Sequence, residues 1–328
     1  MSVCLCTYNG EKFLSDQLES INKQSYKPDQ LIISDDGSTD ATLDMVRSFS
    51  ERVCFPVKIV LNDGIPLGVT KNFERALGYC TGDIIVFCDQ DDIWRADRVV
   101  EVRKAFTVRP LLGYFFSNAS IIDQNNVSQL DSLWDRVGFG GERLARFQNS
   151  DQIKTLLKGN NFVYGMSMAI RANMLSKILP IESRSKLMTH DVWIAIILSS
   201  LFNNGIADER CLVSYRQHTG QVAGPGTKKV GRLKAVLNSL TSEREFDVDL
   251  PQGLKQASLR VKSLSGQTRE GEIASKLLYD KAIHLQQRAM ASQMICFFRF
   301  SVVAKELFSG RYGKFSDSHL TSLRDLLG

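Results

Sequence analysis

Five short apolar runs, Ser2–Cys6, Gln30–Ser34, Val57–Leu61, Ile84–Cys88 and Gly113–Ser117, punctuate the first third of the chain. Their length and β-branched content predict strands. Between them, apolar residues recur at helical spacing. The first stripe is Phe13, Leu14, Leu18 and Ile21; the second follows the cap-like cluster Ser38-Thr39-Asp40 and carries Leu43, Val46 and Phe49; the third aligns Val69, Phe73, Ala76 and Leu77. Strand and helix in alternation predict an α/β fold with a doubly wound, mostly parallel, Rossmann-like sheet. Ile84-Ile85-Val86-Phe87-Cys88 is apolar at every position, the pattern of a central strand covered on both faces. From Gly224-Pro225-Gly226 onward the strand pattern gives way to Lys/Arg-rich, helix-compatible sequence. The expected organisation is an α/β domain over residues 1–225 and a basic helical region over 226–328.

Composition adds a charge asymmetry. With 43% hydrophobic and 23% charged residues the chain reads as an ordinary globular protein, neither disordered nor fibrous. Residues 226–328 hold 17 Lys/Arg against 10 Asp/Glu, whereas residues 1–225 hold 24 against 26. The seven cysteines are odd in number and contain no C-x-x-C pair, which predicts reduced thiols, a cytoplasmic setting and no zinc site. The start of the chain shows no basic leader or cleavage site, so no secretory signal is expected. No run reaches the roughly 20 apolar residues of a spanning helix. The longest candidate, Met294–Ala304, is interrupted by Arg299. Two readings of that stretch stay open: a core helix against the α/β domain, or an interfacial helix on the inner face of the plasma membrane with Arg299 reaching the headgroups.

The chemistry is expected where ligands of open α/β sheets bind, beyond the carboxyl ends of the strands. The first strand runs into Thr7-Tyr8-Asn9-Gly10, the second into Asp35-Asp36-Gly37-Ser38 and the fourth into Asp89-Gln90-Asp91-Asp92. Five carboxylates on one sheet edge repel one another unless a cation or hydrogen-bond donors compensate. Oxygen ligands without a Cys/His cluster point to Mg²⁺ or Mn²⁺, ions that bind through one or two carboxylates plus substrate phosphates. Helix capping explains Asp35-Asp36-Gly37-Ser38 equally well. Three acidic residues in four after a buried strand exceed what one cap uses. The dinucleotide fingerprint G-x-G-x-x-G and the Walker pattern are both missing after the first strand.

On these residues the sequence resembles the inverting GT-A nucleotide-sugar glycosyltransferases of family 2. The resemblance is carried by Cys6-Thr7-Tyr8-Asn9-Gly10, Ile33 to Asp40, Gly82 to Trp94 and Thr189-His190-Asp191-Val192-Trp193, in order and spacing. Lys71-Asn72-Phe73, the D-Q-D-D-x-W and H-D-x-W runs and Tyr215-Arg216-Gln217-His218 look most like bacterial rhamnosyltransferases of surface polysaccharide assembly.

The resemblance implies roles one position at a time. Thr7, Tyr8 and Asp36 match positions that hold the nucleotide, Asp36 accepting a base N–H. Asp89 and Asp91 form the D-x-D element that contacts ribose and metal. Asp191 matches the catalytic base, and His218 matches a histidine that reaches metal or phosphates. Lys71 and Arg216 are expected at the diphosphate. Gly165 is expected on the acceptor side; Trp94 and Trp193 suit a stacking wall for the acceptor sugar there, although aromatic residues near a pocket are more often core. Asp191 also suits the N-terminus of a helix, and His190 reads as an orienting neighbour or a surface residue. The implied reaction moves one sugar, L-rhamnose from dTDP-rhamnose or another sugar from a UDP or GDP donor, to a lipid-linked glycan of O-antigen or capsule. Nucleic acid is not an expected partner, and self-association is compatible with the sequence.

Two departures touch specificity. Met166 stands where relatives often have Cys or Thr, and Thr219-Gly220-Gln221-Val222 replaces Gly-Asn-Asn-Val. The Q-x-x-R-W signature of processive synthases is missing. A nucleotidyltransferase and a non-catalytic binding module are the rivals. The first is disfavoured by the lack of a Gly-rich basic loop after the first strand, the second by Asp89, Asp91 and Asp191 occurring together.

Overall fold

The computed structural model describes residues 1–149, 151–218, 246–316 and 320–327. Four parallel strands form one half of the sheet: β1 (Ser2–Thr7), β2 (Gln30–Asp35), β3 (Val57–Leu61) and β4 (Ile84–Cys88), in the order β3-β2-β1-β4. The crossovers are α1 (Leu14–Asn22), α2 (Thr42–Arg52) and α3 (Val69–Leu77), each on the apolar stripe read from the sequence. The chain continues through β5 (Ile93–Trp94), α4 (Arg98–Val108), β6 (Tyr114–Ile122) and β7 (Ser128–Ser132). Short helices α5 (Leu133–Val137), α6 (Gly141–Gln148) and α7 (Gln152–Leu156) lead to β8 (Met168–Arg171), α8 (Leu175–Ile178), α9 (His190–Leu201) and β9 (Gly205–Arg216). β8 runs antiparallel between β4 and β6, and β9 lies parallel to β6 with β5 antiparallel on its far side. The doubly wound, mostly parallel sheet expected from the pattern is therefore present, extended by three antiparallel strands.

Strand alternation sorts the core into two layers. Val3, Leu5, Leu31, Ile33 and Val86 face α1, α2 and α4 through Leu18, Ile21, Val46, Phe49 and Val102. Cys4, Cys6, Ile32, Ile85 and Phe87 face the opposite way, onto Phe73 and Leu77 of α3 and the apolar length of α9. Successive side chains point to opposite faces, so a strand that is apolar throughout feeds both layers.

The C-terminal region forms α10 (Leu250–Leu264), α11 (Arg269–Ser292), α12 (Cys296–Phe308), α13 (Arg311–Phe315) and α14 (Leu320–Leu327). Leu254, Ala257 and Val261 of α10, with Leu277, Leu278 and Ala282 of α11, join the core layer built on α9. At Gly253 a Cβ would lie 2.9 Å from Ser183 Oγ, so glycine sets how closely α10 approaches. Asp247 fastens the same junction: Oδ1 accepts the Asp249 and Leu250 N–H groups, and Oδ2 accepts Ser185 Oγ–H and Leu187 N–H. The expected boundary at residues 225 and 226 lies outside the described residues. The apolar stretch around Met294–Val303 enters α12, which packs chiefly on α11, α13 and α14 rather than on the α/β domain, so the core-helix reading is corrected. Arg299 is corrected too, because its guanidinium donates to Ala291 and Met294 carbonyls at the end of α11.

Inside this helical stack His284 is fully buried. Its Nδ1 is 2.8 Å from Glu306 Oε2, its ring meets Tyr312 edge-on, and Nε2 faces Ser316 Oγ. Burial pulls its pKa down to about 4, with Lys281 and Arg288 adding to the shift and Glu306 opposing it. Above pH 6.5 neither folded nor unfolded His284 is charged, so it contributes no pH dependence there. Below 6.5 the unfolded state takes up the proton that the folded state refuses, and stability falls until about pH 4. At about 1.4 kcal/mol per unit, acidifying from pH 7 to 5 costs about 2 kcal/mol from this group. Thermal unfolding of wild type and His284→Gln at both pH values checks this: the variant should lose less stability on acidification, and an equal loss would remove His284 as the cause.

Candidate active site

A cleft of about 370 Å³ opens at the carboxyl ends of β1, β2 and β4. That is within the range of small-molecule sites. It is closed on the far side by the start of α9 and the turn Gly165–Ser167. Thr7, Tyr8, Asp36, Asp89, Asp91, Gly165, Asp191 and His218 all line it.

Two of the strand-end loops are locked together. Gln90 Oε1 accepts the Tyr8 N–H at 2.8 Å, and Gln90 Nε2 donates to the Tyr8 carbonyl at 3.1 Å. A Cβ at residue 10 would lie 2.4 Å from Gln90 Oε1, which explains Gly10. After β2 the paired aspartates divide the work. Asp35 makes the turn, accepting the N–H groups of Gly37 and Ser38 and the hydroxyls of Thr7 and Ser38. Asp36 faces the cleft, and its carboxylate takes Asn62 Nδ2–H at 2.9 Å, Leu67 N–H at 2.9 Å and Gly68 N–H at 2.8 Å. It thus holds residues 62–68 as one wall of the cleft. Hydrogen bonds to a charged group contribute about 1.5–3 kcal/mol each. Asp36→Ala should therefore release this wall and raise the nucleotide Kd on the order of 10- to 100-fold with a smaller change in kcat. Calorimetric titration beside steady-state kinetics checks the split.

After β4, Asp89 and Asp91 face the cleft. Burial, then the charges of Asp91 and Asp191, push the Asp89 carboxyl up to about 8. Asp91 Oδ2 lies 2.8 Å from His218 Nε2. Asp92 is turned inward, accepts the Arg216 N–H at 3.0 Å, and sits near the buried Arg98 guanidinium, which lies over the Trp94 ring.

Four sequence-based expectations change. Arg216 is buried: Nε donates to the Asp91 carbonyl at 2.7 Å and Nη2 to Asp16 Oδ2 at 3.0 Å, so it braces the D-x-D turn from behind instead of lining the cleft. Lys71 Nζ donates to Glu74 Oε2 and the Ile181 carbonyl, and Lys71 is not among the residues that line the cleft. Trp193 is in the core with Nε1–H on the Ile178 carbonyl, and Trp94 is buried against Arg98, so neither ring is an acceptor wall. Local sequence cannot show which way an arginine or tryptophan points relative to a sheet.

At the start of α9, Asp191 accepts Gly165 N–H at 2.9 Å on Oδ2, and Thr189 Oγ–H and Val192 N–H on Oδ1. Both helix-dipole and cleft readings hold here, since a carboxylate in the first turn is favoured by the N-terminal partial charge. His190 is neither a surface residue nor a hydrogen-bonded one. It is buried, stacked on Phe73 with centroids 4.0 Å apart, and neither ring nitrogen has a hydrogen-bond partner among the described residues. Burial lowers its pKa, against the opposing charge of Asp191. Gln90 and Tyr164 also line the cleft, and sequence reasoning gave neither a role. Gln90 had a signal, its place between two cleft aspartates.

The sequence profile described as Glycosyl transferase family 2 matches residues 2–179, more than half of the chain. The chain belongs to this family. Among curated relatives, a beta-1,3-glucosyltransferase of Escherichia coli, WfgD, named for UDP-Glc and alpha-D-GlcNAc-diphosphoundecaprenol, is 30% identical over 39% of this chain and 48% of its own length. The dTDP-rhamnosyl transferase RfbG of Shigella flexneri is 37% identical over 29% of this chain and 34% of its own length. The chain thus spans about half or less of these relatives. The crystal structure of Staphylococcus aureus TarS 1-349 superposes with a TM-score of 0.55 at 16% identity, covering 87% of this chain and 70% of that one. That likeness supports the GT-A architecture.

The family 2 match places residues 2–179 among glycosyltransferase domains and not among nucleotidyltransferases. The donor set of the cleft suits a hard divalent cation that shares its shell with phosphates. Asp91 and His218 converge, and burial, then the charges of Asp91 and Asp191, raise the Asp89 carboxyl beside them. Among the described residues no three His, Cys, Asp or Glu side chains are grouped closely enough to hold a metal ion by themselves.

Proposed function

We propose that this family 2 enzyme is an inverting, cation-dependent transferase. It moves one sugar from a nucleoside-diphosphate donor to a hydroxyl of a lipid-linked glycan in bacterial surface polysaccharide assembly. The observation that carries this reading is the presence, in one cleft, of the fixed Asp191 carboxylate and the Asp89/Asp91/His218 group. In the reaction, Asp191 takes the proton of the acceptor hydroxyl. The oxygen attacks the anomeric carbon, and the bond to the donor phosphate breaks with its electron pair passing to the diphosphate, so the configuration inverts. Mn²⁺ or Mg²⁺ bound by Asp91, with Asp89 and His218, would neutralise charge on the leaving diphosphate. Thr7 and Tyr8, beside the wall that Asp36 holds, would receive the nucleotide, and Gly165 would lie on the acceptor side.

The donor proposed is dTDP-L-rhamnose, supported by the local similarity to RfbG, with a UDP-hexose as the reading that WfgD favours. The diphosphoundecaprenol in the name of WfgD supports a lipid-linked acceptor, which would place the enzyme on the inner face of the plasma membrane. Among the described residues no helix is long and apolar enough to cross a membrane. The test is a panel of dTDP-, UDP- and GDP-sugars with Mn²⁺, read by nucleoside-diphosphate release and by product anomer. Fastest turnover with dTDP-rhamnose and an inverted product is expected. Preference for another donor would overturn the rhamnose assignment, and a retained anomer the mechanism.

A further inference from the structure

The helix α12 is apolar on the side that faces away from its neighbours. Its inner side, through Val303 and Glu306 with Arg299 and Val302 partly covered, packs on α11, α13 and α14. On the other side Phe300 is 64%, Leu307 46% and Phe308 93% exposed, and Ile295 just before the helix is 71% exposed. At 100° per residue Phe300, Leu307 and Phe308 fall within one arc, with Ala304 between them and Lys305 at its edge. Scattered exposed apolar residues are ordinary, but large ones gathered on one helix face mark an interaction surface.

Charge identifies the occupant. Among the described residues of α12, α13 and α14 the acidic side chains are Glu306 and Asp325, and both are buried in ion pairs, with Arg311 and Arg288 respectively. The exposed charges of these helices are therefore cationic, Lys305 and Lys314 among them. Lys314 is paired with Asp280 of α11 at 3.5 Å, so Lys305 is the cation at the edge of the ridge, and an apolar ridge with a cation at its edge fits the boundary between anionic headgroups and acyl chains. A second copy of the same face would set cation against cation.

We infer that the outer face of α12 is a membrane-docking surface that inserts Phe300, Leu307 and Phe308 between anionic lipids while Lys305 contacts their headgroups. This deepens the reading of a lipid-linked acceptor, but vesicle binding stands or falls without any sugar transfer. The probe is flotation of the full chain with phosphatidylglycerol or phosphatidylcholine vesicles at low and high salt. Binding to phosphatidylglycerol vesicles that weakens with salt is expected. The double variant Phe300→Ser, Phe308→Ser should lose on the order of 10-fold or more in partitioning, and Lys305→Glu a few-fold. Far-ultraviolet dichroism and donor hydrolysis should stay at wild-type values in both, which separates lost docking from lost folding. Equal binding to neutral vesicles, or full binding by the double variant, overturns the inference. So does a dimer that the double variant dissociates without any vesicle binding. Vesicle binding without transfer on any donor would sink the proposed reaction and leave this surface standing.

Discussion

Asp191→Asn should cut sugar transfer on the order of 10²- to 10⁴-fold while leaving the donor Kd nearly unchanged, the range for loss of a positioned general base. The geometry makes this substitution informative. Thr189, Val192 and Gly165 hold the side chain in place from three sides. An amide can keep part of that bonding but cannot take a proton at neutral pH. The backbone of Gly165 and the fully apolar run from Trp193 to Leu198 keep the start of α9 where it is. Single-turnover transfer and calorimetric donor binding, measured on the same preparation, check it. Turnover within a few-fold of wild type would remove Asp191 from the chemistry and leave it as a helix-start carboxylate that ties the Gly165 turn.

Asp91→Ala should abolish activity and, with it, the response to Mn²⁺. The departing diphosphate gains negative charge in a cleft already lined by Asp36, Asp89, Asp91 and Asp191, and a cation at Asp91 and His218 would offset it. Removing one carboxylate relieves the repulsion on Asp89, so the fold should survive or gain stability. Transfer assays across a Mn²⁺ titration, with thermal unfolding as the folding control, read the two effects apart. A wild-type rate unmoved by EDTA would show that the cluster is not a cation site.

Much of this site was legible because its residues follow strands whose ends can be read locally. Thr7, Asp36, Asp89 and Asp91 come directly after five-residue apolar runs, and a parallel sheet brings such ends to one edge whatever the details of packing. Strand-end position by itself does not divide Asp35 from Asp36; the family resemblance singled out Asp36, but not its hold on Leu67 and Gly68. Only the position of residues 62–68 turns Asp36 toward Leu67 and Gly68 while Asp35 makes the turn. Arg216 and Lys71 looked like phosphate contacts for their charge, yet the nearest compensating acceptors lie behind the cleft, at Asp16 and at Glu74. A charge count along the chain carries no direction.

The sequence by itself determined the four-strand parallel half of the sheet, the edge at which chemistry occurs and the family, since periodicity and strand-end composition are local properties. Tertiary structure alone decided the rest. The strand β9 holds Asp208, Glu209 and Arg210 in its middle, which break its apolar positions into two short pieces around Ile206-Ala207 and Leu212-Val213. It exists because β6 offers a partner edge along its whole length. Trp193 became core because α9 lies between the sheet and α10, and both sides of that helix are covered; Trp94 became core on the opposite face, under Arg98. The apolar stretch of α12 was visible in the sequence, but which of its residues face solvent depended on which neighbours the last helices took. Burial is a property of pairs of elements, and no single segment encodes it.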